Sequence, residues 1–148
     1  GLLFVLDRYV FALAIEPVTV AMAAPPLWTR LLLSLYGGVA EELMMRLGLM
    51  TLLVWISWKV RAAPGGGPAT LGVWTAIVVV NIIFGLGHLP MTARLMAITP
   101  LVVVRAVVLN SIAGIIFGWL YWQRGLEAAM VSHFSADVVL HVLLPLMF

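Results

Sequence analysis

Charged side chains inside an apolar stretch are the first candidates for chemistry in this sequence. Glu41, Glu42 and Arg46 lie within the apolar run 31–58. A charge at bilayer depth costs several kcal/mol, so ionisable residues there are usually paired or functional. Glu42 and Arg46 are four residues apart, which is the spacing of an ion pair along one helix. This spacing predicts that Arg46 neutralises Glu42 and leaves Glu41 free as a catalytic base.

Two later apolar stretches carry histidines at helical spacing. His88 follows Phe84 by four residues, and His133, Asp137 and His141 repeat at four-residue intervals. Two histidines and a free carboxylate from three helices form the kind of set that can activate a water molecule. The predicted catalytic residues are therefore Glu41, His88, His133 and Asp137, and the predicted supporting residues are Glu42, Arg46 and Asn81.

Other roles for these residues stay open at this point. A single intramembrane histidine is often only a packing residue, and His141 keeps that interpretation. The ionisable groups would also suit an ion pathway, a small transporter, or a non-catalytic immunity or scaffold protein. Neutral histidine and carboxylate are legitimate zinc ligands, so an intramembrane metalloprotease using Glu41, His88 and His133 is a further alternative. The leading interpretation needs no cofactor.

Several protease classes lack their motifs here. There is no H-E-x-x-H zinc motif, and no G-x-S-G-like segment is paired with a suitable histidine. The glycine-rich segment 85–87 is followed by His88, where the paired-aspartate type would need Asp. The chain has no cysteine, which excludes cysteine nucleophiles and thiolate metal sites.

Composition sets the environment of these residues. Of the 148 residues, 64% are hydrophobic and only 9% are charged, whereas a soluble domain has about 25% charged residues. The chain is therefore predicted to be an integral membrane protein with one domain, 1–148. A net charge of +2, without any basic run, argues against a nucleic-acid partner. Because the first residue is Gly, a fragment of a larger bundle is also consistent with the sequence.

The apolar segments predict an all-α, polytopic transmembrane bundle. A spanning helix needs about 20 apolar residues, so the chain has room for about five spans. A membrane β-barrel would instead require alternating apolar and polar residues. Proline and glycine separate the segments, most clearly at 64–68. The predicted spans cover residues 2–24, 28–61, 69–89, 100–122 and 126–148.

The predicted helix faces give three further expectations. Small residues near Glu41, which are Ser34, Gly37, Gly38 and Gly48, fall close to one line at the helical repeat and should let another helix approach. Arg105 needs a partner, and the candidates are Asp137 and Glu16. Straight helices would separate His88 from His133 by roughly 15 Å along the membrane normal, so a single site requires the two to converge.

The three motifs together resemble those of one family. Glu41-Glu42-x-x-x-Arg46, Phe84-x-x-x-His88 and His133-x-x-x-Asp137 are similar, in order, to the motifs of the CAAX prenyl endopeptidase family, also called the CPBP or ABI family. The resemblance covers about residues 30–148. It implies an all-helical intramembrane glutamate protease in which Glu41 and His88 activate a water. It also implies that His133 and the residue four later stabilise the oxyanion.

Position 137 departs from the eukaryotic pattern, which has Asn. An ionised Asp137 would repel an oxyanion, so it is either protonated, or orients His133, or joins a metal site; we favour orientation of His133. Eukaryotic members remove a tripeptide after a prenylated cysteine, a substrate not assumed for this chain. Prokaryotic members are linked to bacteriocin maturation or self-immunity. The resemblance implies a peptide substrate reaching the site within the bilayer, and we expect a prokaryotic cell membrane.

Overall fold

The computed structural model describes residues 2–12 and 25–147, and this part of the chain is helical with no β-strand. Its five helices are α1 (Leu2–Val5 continuing into Leu6–Val10), α2 (Leu27–Tyr36, Gly37–Glu41, Leu43–Met50 and Thr51–Val60 in one run), α3 (Thr70–Thr92), α4 (Pro100–Arg124) and α5 (Leu126–Met147). The predicted all-α bundle is confirmed. Glu16 lies outside the described residues, as do all of residues 13–24 in the first predicted span.

Three of the helices are long and apolar enough to cross a membrane. They are α3, α4 and α5, with mean hydropathies of 2.0, 2.2 and 1.5 over their most apolar windows. Many of their large apolar side chains are exposed, which in a soluble domain would be a strong liability. Length and apolar composition therefore make them the spans of an integral membrane protein.

Small residues set how closely α3 and α4 pack. The ideal position of a Cβ at Gly85 lies only 2.7 Å from the Cα of Val107, and at Gly118 it lies 3.1 Å from the side chain of Ile77. Ile77 is fully buried, in a cluster with Val80 and neighbouring apolar side chains. Backbones that approach this closely gain van der Waals contact, which is a main source of helix association in lipid.

Helix α2 departs from regular α-helix at the charged motif. The segments Gly37–Glu41 and Leu43–Met50 are π-helical, a geometry that occurs mostly as short insertions, often at functional sites. The predicted line of small residues is only partly correct, since Gly37 and Gly38 are buried whereas Gly48 is exposed. The predicted line assumed the number of residues per turn of an α-helix. A π-helical segment has more residues per turn, so residues expected on one face lie on different faces.

Helix α1 packs antiparallel against α4 through one polar and one apolar contact. Arg105 donates two hydrogen bonds to Asp7, from Nε to Oδ1 at 2.6 Å and from Nη2 to Oδ2 at 3.0 Å. One turn along, the buried side chains of Phe11 and Val102 form a small apolar cluster. The expectation that Asp137 pairs with Arg105 is therefore wrong. Asp7 was missed because nothing in the sequence indicates which helix lies beside α4.

We expect Gly38→Ala to destabilise the bundle. The added Cβ would lie 2.7 Å from the Cβ of Phe134 and 3.0 Å from the carbonyl oxygen of Met130, and such overpacking costs about 1–3 kcal/mol. Gly48→Ala is the matched control, because its Cβ would meet only the carbonyl oxygen of Leu43, at 3.5 Å. Thermal unfolding of the detergent-solubilised chain should give a lower Tm for Gly38→Ala alone. Equal Tm values for both variants would contradict the close approach of α2 and α5.

Candidate active site

A buried ion pair forms the centre of the polar cluster. Nε of Arg46 lies 3.1 Å from Oε2 of Glu42, and both side chains are only 1% exposed. The predicted pairing of these two residues is confirmed. Charges buried this completely need further polar partners, because a single ion pair rarely compensates the lost hydration of both groups.

Helices α3 and α4 supply further partners for Arg46. Its Nη2 donates to Oδ1 of Asn81 at 3.3 Å and to the backbone carbonyl of Gly114 at 3.2 Å. Asn81 is fully buried and its amide donates in turn to the carbonyl of Ile77 at 2.8 Å. A Cβ at Gly114 would overlap the amide oxygen of Asn81. Gly114 therefore makes room for this network as well as for helix packing.

The second oxygen of Glu42 holds a histidine from α5. Nδ1 of His133 donates to Oε1 of Glu42 at 2.8 Å, since an ionised carboxylate only accepts. The imidazole also stacks on Phe117, with ring centroids 4.7 Å apart and planes inclined by 20°. These two contacts fix the ring and direct Nε2 away from Glu42. No pattern in the sequence indicates this bond, because Glu42 already has a partner four residues along its own helix.

Two more carboxylates lie on the Nε2 side of His133. Oε2 of Glu41 and Oδ2 of Asp137 are each 3.8 Å from this nitrogen, which is longer than a direct hydrogen bond. A water can bridge groups at such a separation. A Cβ at Gly37 would lie 2.6 Å from Oδ2 of Asp137 and 3.3 Å from Nε2. Gly37 thus keeps this space open between α2 and α5.

Asp137 does not make the contact that the sequence analysis favoured. The interpretation that it orients His133 needs a hydrogen bond between them, and the separation of 3.8 Å is too long for one. The orienting bond comes from Glu42 instead. His141, whose Nε2 lies 3.9 Å from Oδ1 of Asp137, is largely exposed.

His88 reaches the same region from the end of α3. The regular helix Thr70–Gly87 ends just before it, and its Nδ1 donates to the carbonyl oxygen of Phe84 at 2.8 Å. A carbonyl only accepts, so Nδ1 carries the proton and Nε2 of the neutral ring has the free lone pair. Both His88 and His133 lie within electrostatic range of Glu41.

The phenyl ring of Phe84 links the two histidines. Its centroid lies 4.6 Å from that of His88 and 6.3 Å from that of His133, with edge-to-face geometry in both pairs. The two centroid distances together are shorter than the separation of roughly 15 Å between His88 and His133 that straight, parallel helices would give. That expectation is wrong because it ignored how the helices incline and cross. The two rings therefore lie closer together than straight, parallel helices would place them.

A cavity of about 260 Å³ borders this cluster. The side chains of His133, Asp137, Phe84 and Phe117 line it together with groups from α1 and α4. It is slightly smaller than the common range for small-molecule sites, which begins at about 300 Å³. A cavity of this size can hold a short segment of a ligand beside the side chain of His133.

The zinc alternative requires three ligands around one point. Within residues 2–12 and 25–147, no three His, Cys, Asp or Glu side chains have the arrangement of a metal site. Glu41, His88 and His133 therefore do not fit zinc as they stand, since each ligand atom must lie about 2 Å from the metal. Most of the residues that the sequence analysis predicted lie near one another, and Arg46 and Asn81 are joined there by a hydrogen bond.

One comparison with known proteins identifies the family. Residues 23–139 match the Rce1-like family, described as type II CAAX prenyl endopeptidase Rce1-like. The match covers most of the chain, and the chain belongs to this family of membrane proteases. Neither the curated proteins nor the solved structures gave a match.

We expect Arg46→Met to destabilise the chain strongly. It would leave Glu42 buried without its cationic partner, and breaking a buried pair on one side costs about 3–5 kcal/mol. Arg124→Met, at the exposed end of α4, is the matched control and should change stability by about 0.5 kcal/mol or less. Thermal unfolding in detergent measures both. If the two variants unfolded at the same temperature, the buried pair of Glu42 and Arg46 would not contribute to stability as predicted.

Proposed function

We propose that this member of the type II CAAX prenyl endopeptidase family is an intramembrane glutamate protease. The observation that carries the proposal is the grouping around Nε2 of His133. Carboxylate oxygens of Glu41 and Asp137 each lie 3.8 Å from this nitrogen, while Glu42 holds the opposite side of the ring. Of these side chains, His133 and Asp137 also line the cavity, and titratable groups that converge beside a cavity are candidates for catalysis.

The nucleophile in this mechanism is a water activated by Glu41 and His88. Glu41 accepts a proton from the water, and the lone pair on Nε2 of His88 accepts its second hydrogen bond and aligns it. The resulting hydroxide attacks the peptide carbonyl carbon. When the tetrahedral intermediate collapses, the C–N bond breaks and Glu41 returns the proton to the leaving amine. No covalent enzyme intermediate is needed.

His133 stabilises the oxyanion in this proposal. Its Nδ1 is committed to Glu42, so Nε2 is the atom that can face the substrate. In the protonated ring Nε2 donates a charge-assisted hydrogen bond to the developing negative oxygen. Because Phe117 and Glu42 hold the ring, the donor needs no reorientation during the reaction. Pre-organisation of this kind is usually the largest electrostatic contribution to catalysis.

Asp137 borders the same oxygen position and contributes only when it carries a proton. An ionised carboxylate would repel the oxyanion, whereas a carboxylic acid would donate to it. The substrate is a peptide or protein that reaches the site within the bilayer. We extend the proposal to a prokaryotic cell membrane, because position 137 is Asp and eukaryotic members have Asn.

We expect Glu41→Gln to abolish peptide hydrolysis while the chain stays folded. Removing the general base should slow hydrolysis by about 10²–10⁴-fold. Quantitative proteomics of membranes containing wild type or Glu41→Gln should reveal a precursor that accumulates uncut with the variant. Glu127→Gln is the matched control, since Glu127 is an exposed carboxylate at the start of α5.

His88→Gln should reduce hydrolysis of the same precursor by a comparable factor. If Glu41→Gln and His88→Gln both fold and retain full activity, the protease mechanism is wrong and an immunity or scaffold role is favoured. A strong zinc chelator distinguishes the metalloprotease alternative. The proposed mechanism predicts an unchanged rate with the chelator, whereas loss of activity together with bound zinc in the purified protein would favour the metal.

Asp137→Asn should retain activity within about tenfold of wild type. The amide presents a permanent N–H donor at the position where the mechanism needs a donor. Asp137→Leu has a similar size but no donor, and it should be much slower. Rates for the precursor identified above, measured with purified protein in nanodiscs, compare the two. If Asp137→Asn is as inactive as Asp137→Leu, the carboxylate itself is required and the oxyanion role is wrong.

A further inference from the structure

An ion pair away from the proposed catalytic groups also lines the cavity. Arg105 of α4 and Asp7 of α1 lie in the wall of the same cavity that His133 and Asp137 border. Arg105 is the only Lys or Arg among the described residues of that wall. The mechanism described above does not use this pair. The cavity therefore connects the side chains of His133 and Asp137 to a guanidinium group, although Glu41 and His88 are not among the residues that line it.

The geometry of the pair is that of carboxylate recognition. Nε and Nη2 of Arg105 bind the two oxygens of Asp7 separately, at 2.6 and 3.0 Å. This two-point arrangement is how a guanidinium binds carboxylates in general. The side chains of Arg105 and Asp7 are 26% and 33% exposed. The buried pair of Glu42 and Arg46 is far less accessible, at 1% each.

Helix α1 has a second attachment that does not depend on Asp7. Phe11, the residue directly after α1, is buried against Val102 of α4, and Leu89 and Met96 pack on the same cluster. Loss of the Asp7 contact would therefore still leave α1 anchored at this point. An incoming carboxylate could replace that of Asp7 on Arg105 without detaching the helix.

We propose that Arg105 binds a carboxylate of the peptide substrate, and that Asp7 occupies this position as a tethered substitute when no substrate is bound. The inference rests on the proposed function, because it assigns the cavity to the peptide. The bound carboxylate is either the C-terminal group of the substrate or an acidic side chain near the scissile bond. Both present the same two oxygens to Arg105.

Affinity selection tests this assignment without requiring turnover. The full chain carrying Glu41→Gln is embedded in nanodiscs and incubated with a pool of synthetic apolar peptides. Each peptide is made with a free C-terminal acid, with a C-terminal amide, and as an amide with one internal Asp. Mass spectrometry quantifies the retained peptides. We expect at least one carboxylate form to be enriched about tenfold over its plain amide, as expected for one charge-assisted contact.

Variants of the pair separate recognition from a purely structural role. Arg105→Gln should remove the enrichment, and Asp7→Asn should increase retention of the carboxylate forms by freeing Arg105. The charge-swapped chain, Asp7→Arg with Arg105→Asp, is the control that keeps an ion pair between α1 and α4. It should keep the Tm of the parent chain but lose the enrichment seen with Arg105.

The outcomes each decide the proposal. Equal retention of acids and amides, or an enrichment that survives Arg105→Gln or the charge swap, overturns it. Enrichment of free acids alone identifies the substrate C-terminus as the ligand, and enrichment of the internal Asp peptides alone identifies a side chain. The affinity selection measures binding by the Glu41→Gln chain and needs no hydrolysis. The precursor assay tests hydrolysis separately, so a negative result in one experiment can be told apart from a negative result in the other.

Discussion

The polar interior of this bundle depends on one buried carboxylate. Glu42 uses one oxygen for Arg46 on its own helix and the other for His133 on α5. Arg46 in turn holds the amide of Asn81 on α3 and a backbone carbonyl on α4. Four helices are thus tied through one buried ion pair. In a low-dielectric interior such a network is stable only when its members satisfy one another.

Glycines allow the network to form where bulkier residues would separate the helices. A Cβ at Gly114 would overlap the amide of Asn81, and a Cβ at Gly37 would press on Asp137 and His133. These glycines serve the polar cluster as well as helix packing. The outer faces carry many exposed large apolar side chains, whereas Gly37 and Gly114 have no room for a Cβ. The site is consequently as constrained by small residues as by charged ones.

Prediction from the sequence succeeded where the relevant partner was local. The pair of Glu42 and Arg46 follows from a spacing of four residues on one helix, and the structure confirms it. Prediction failed where the partner was on another helix. Asp7 was not expected to bind Arg105, and Glu42 was not expected to orient His133, because neither contact has any periodicity along the chain.

The sequence by itself determined the membrane environment, the helical class and the set of residues that can do chemistry, because apolar length and motif spacing are properties of one helix at a time. Only the tertiary structure decided their relations. The π-helical turns of α2, the end of regular α3 just before His88 and the crossing of the helices bring Glu41, His88 and His133 into one region. Such convergence depends on how side chains of different helices fit together, and a single sequence encodes that fit without displaying it as a repeat.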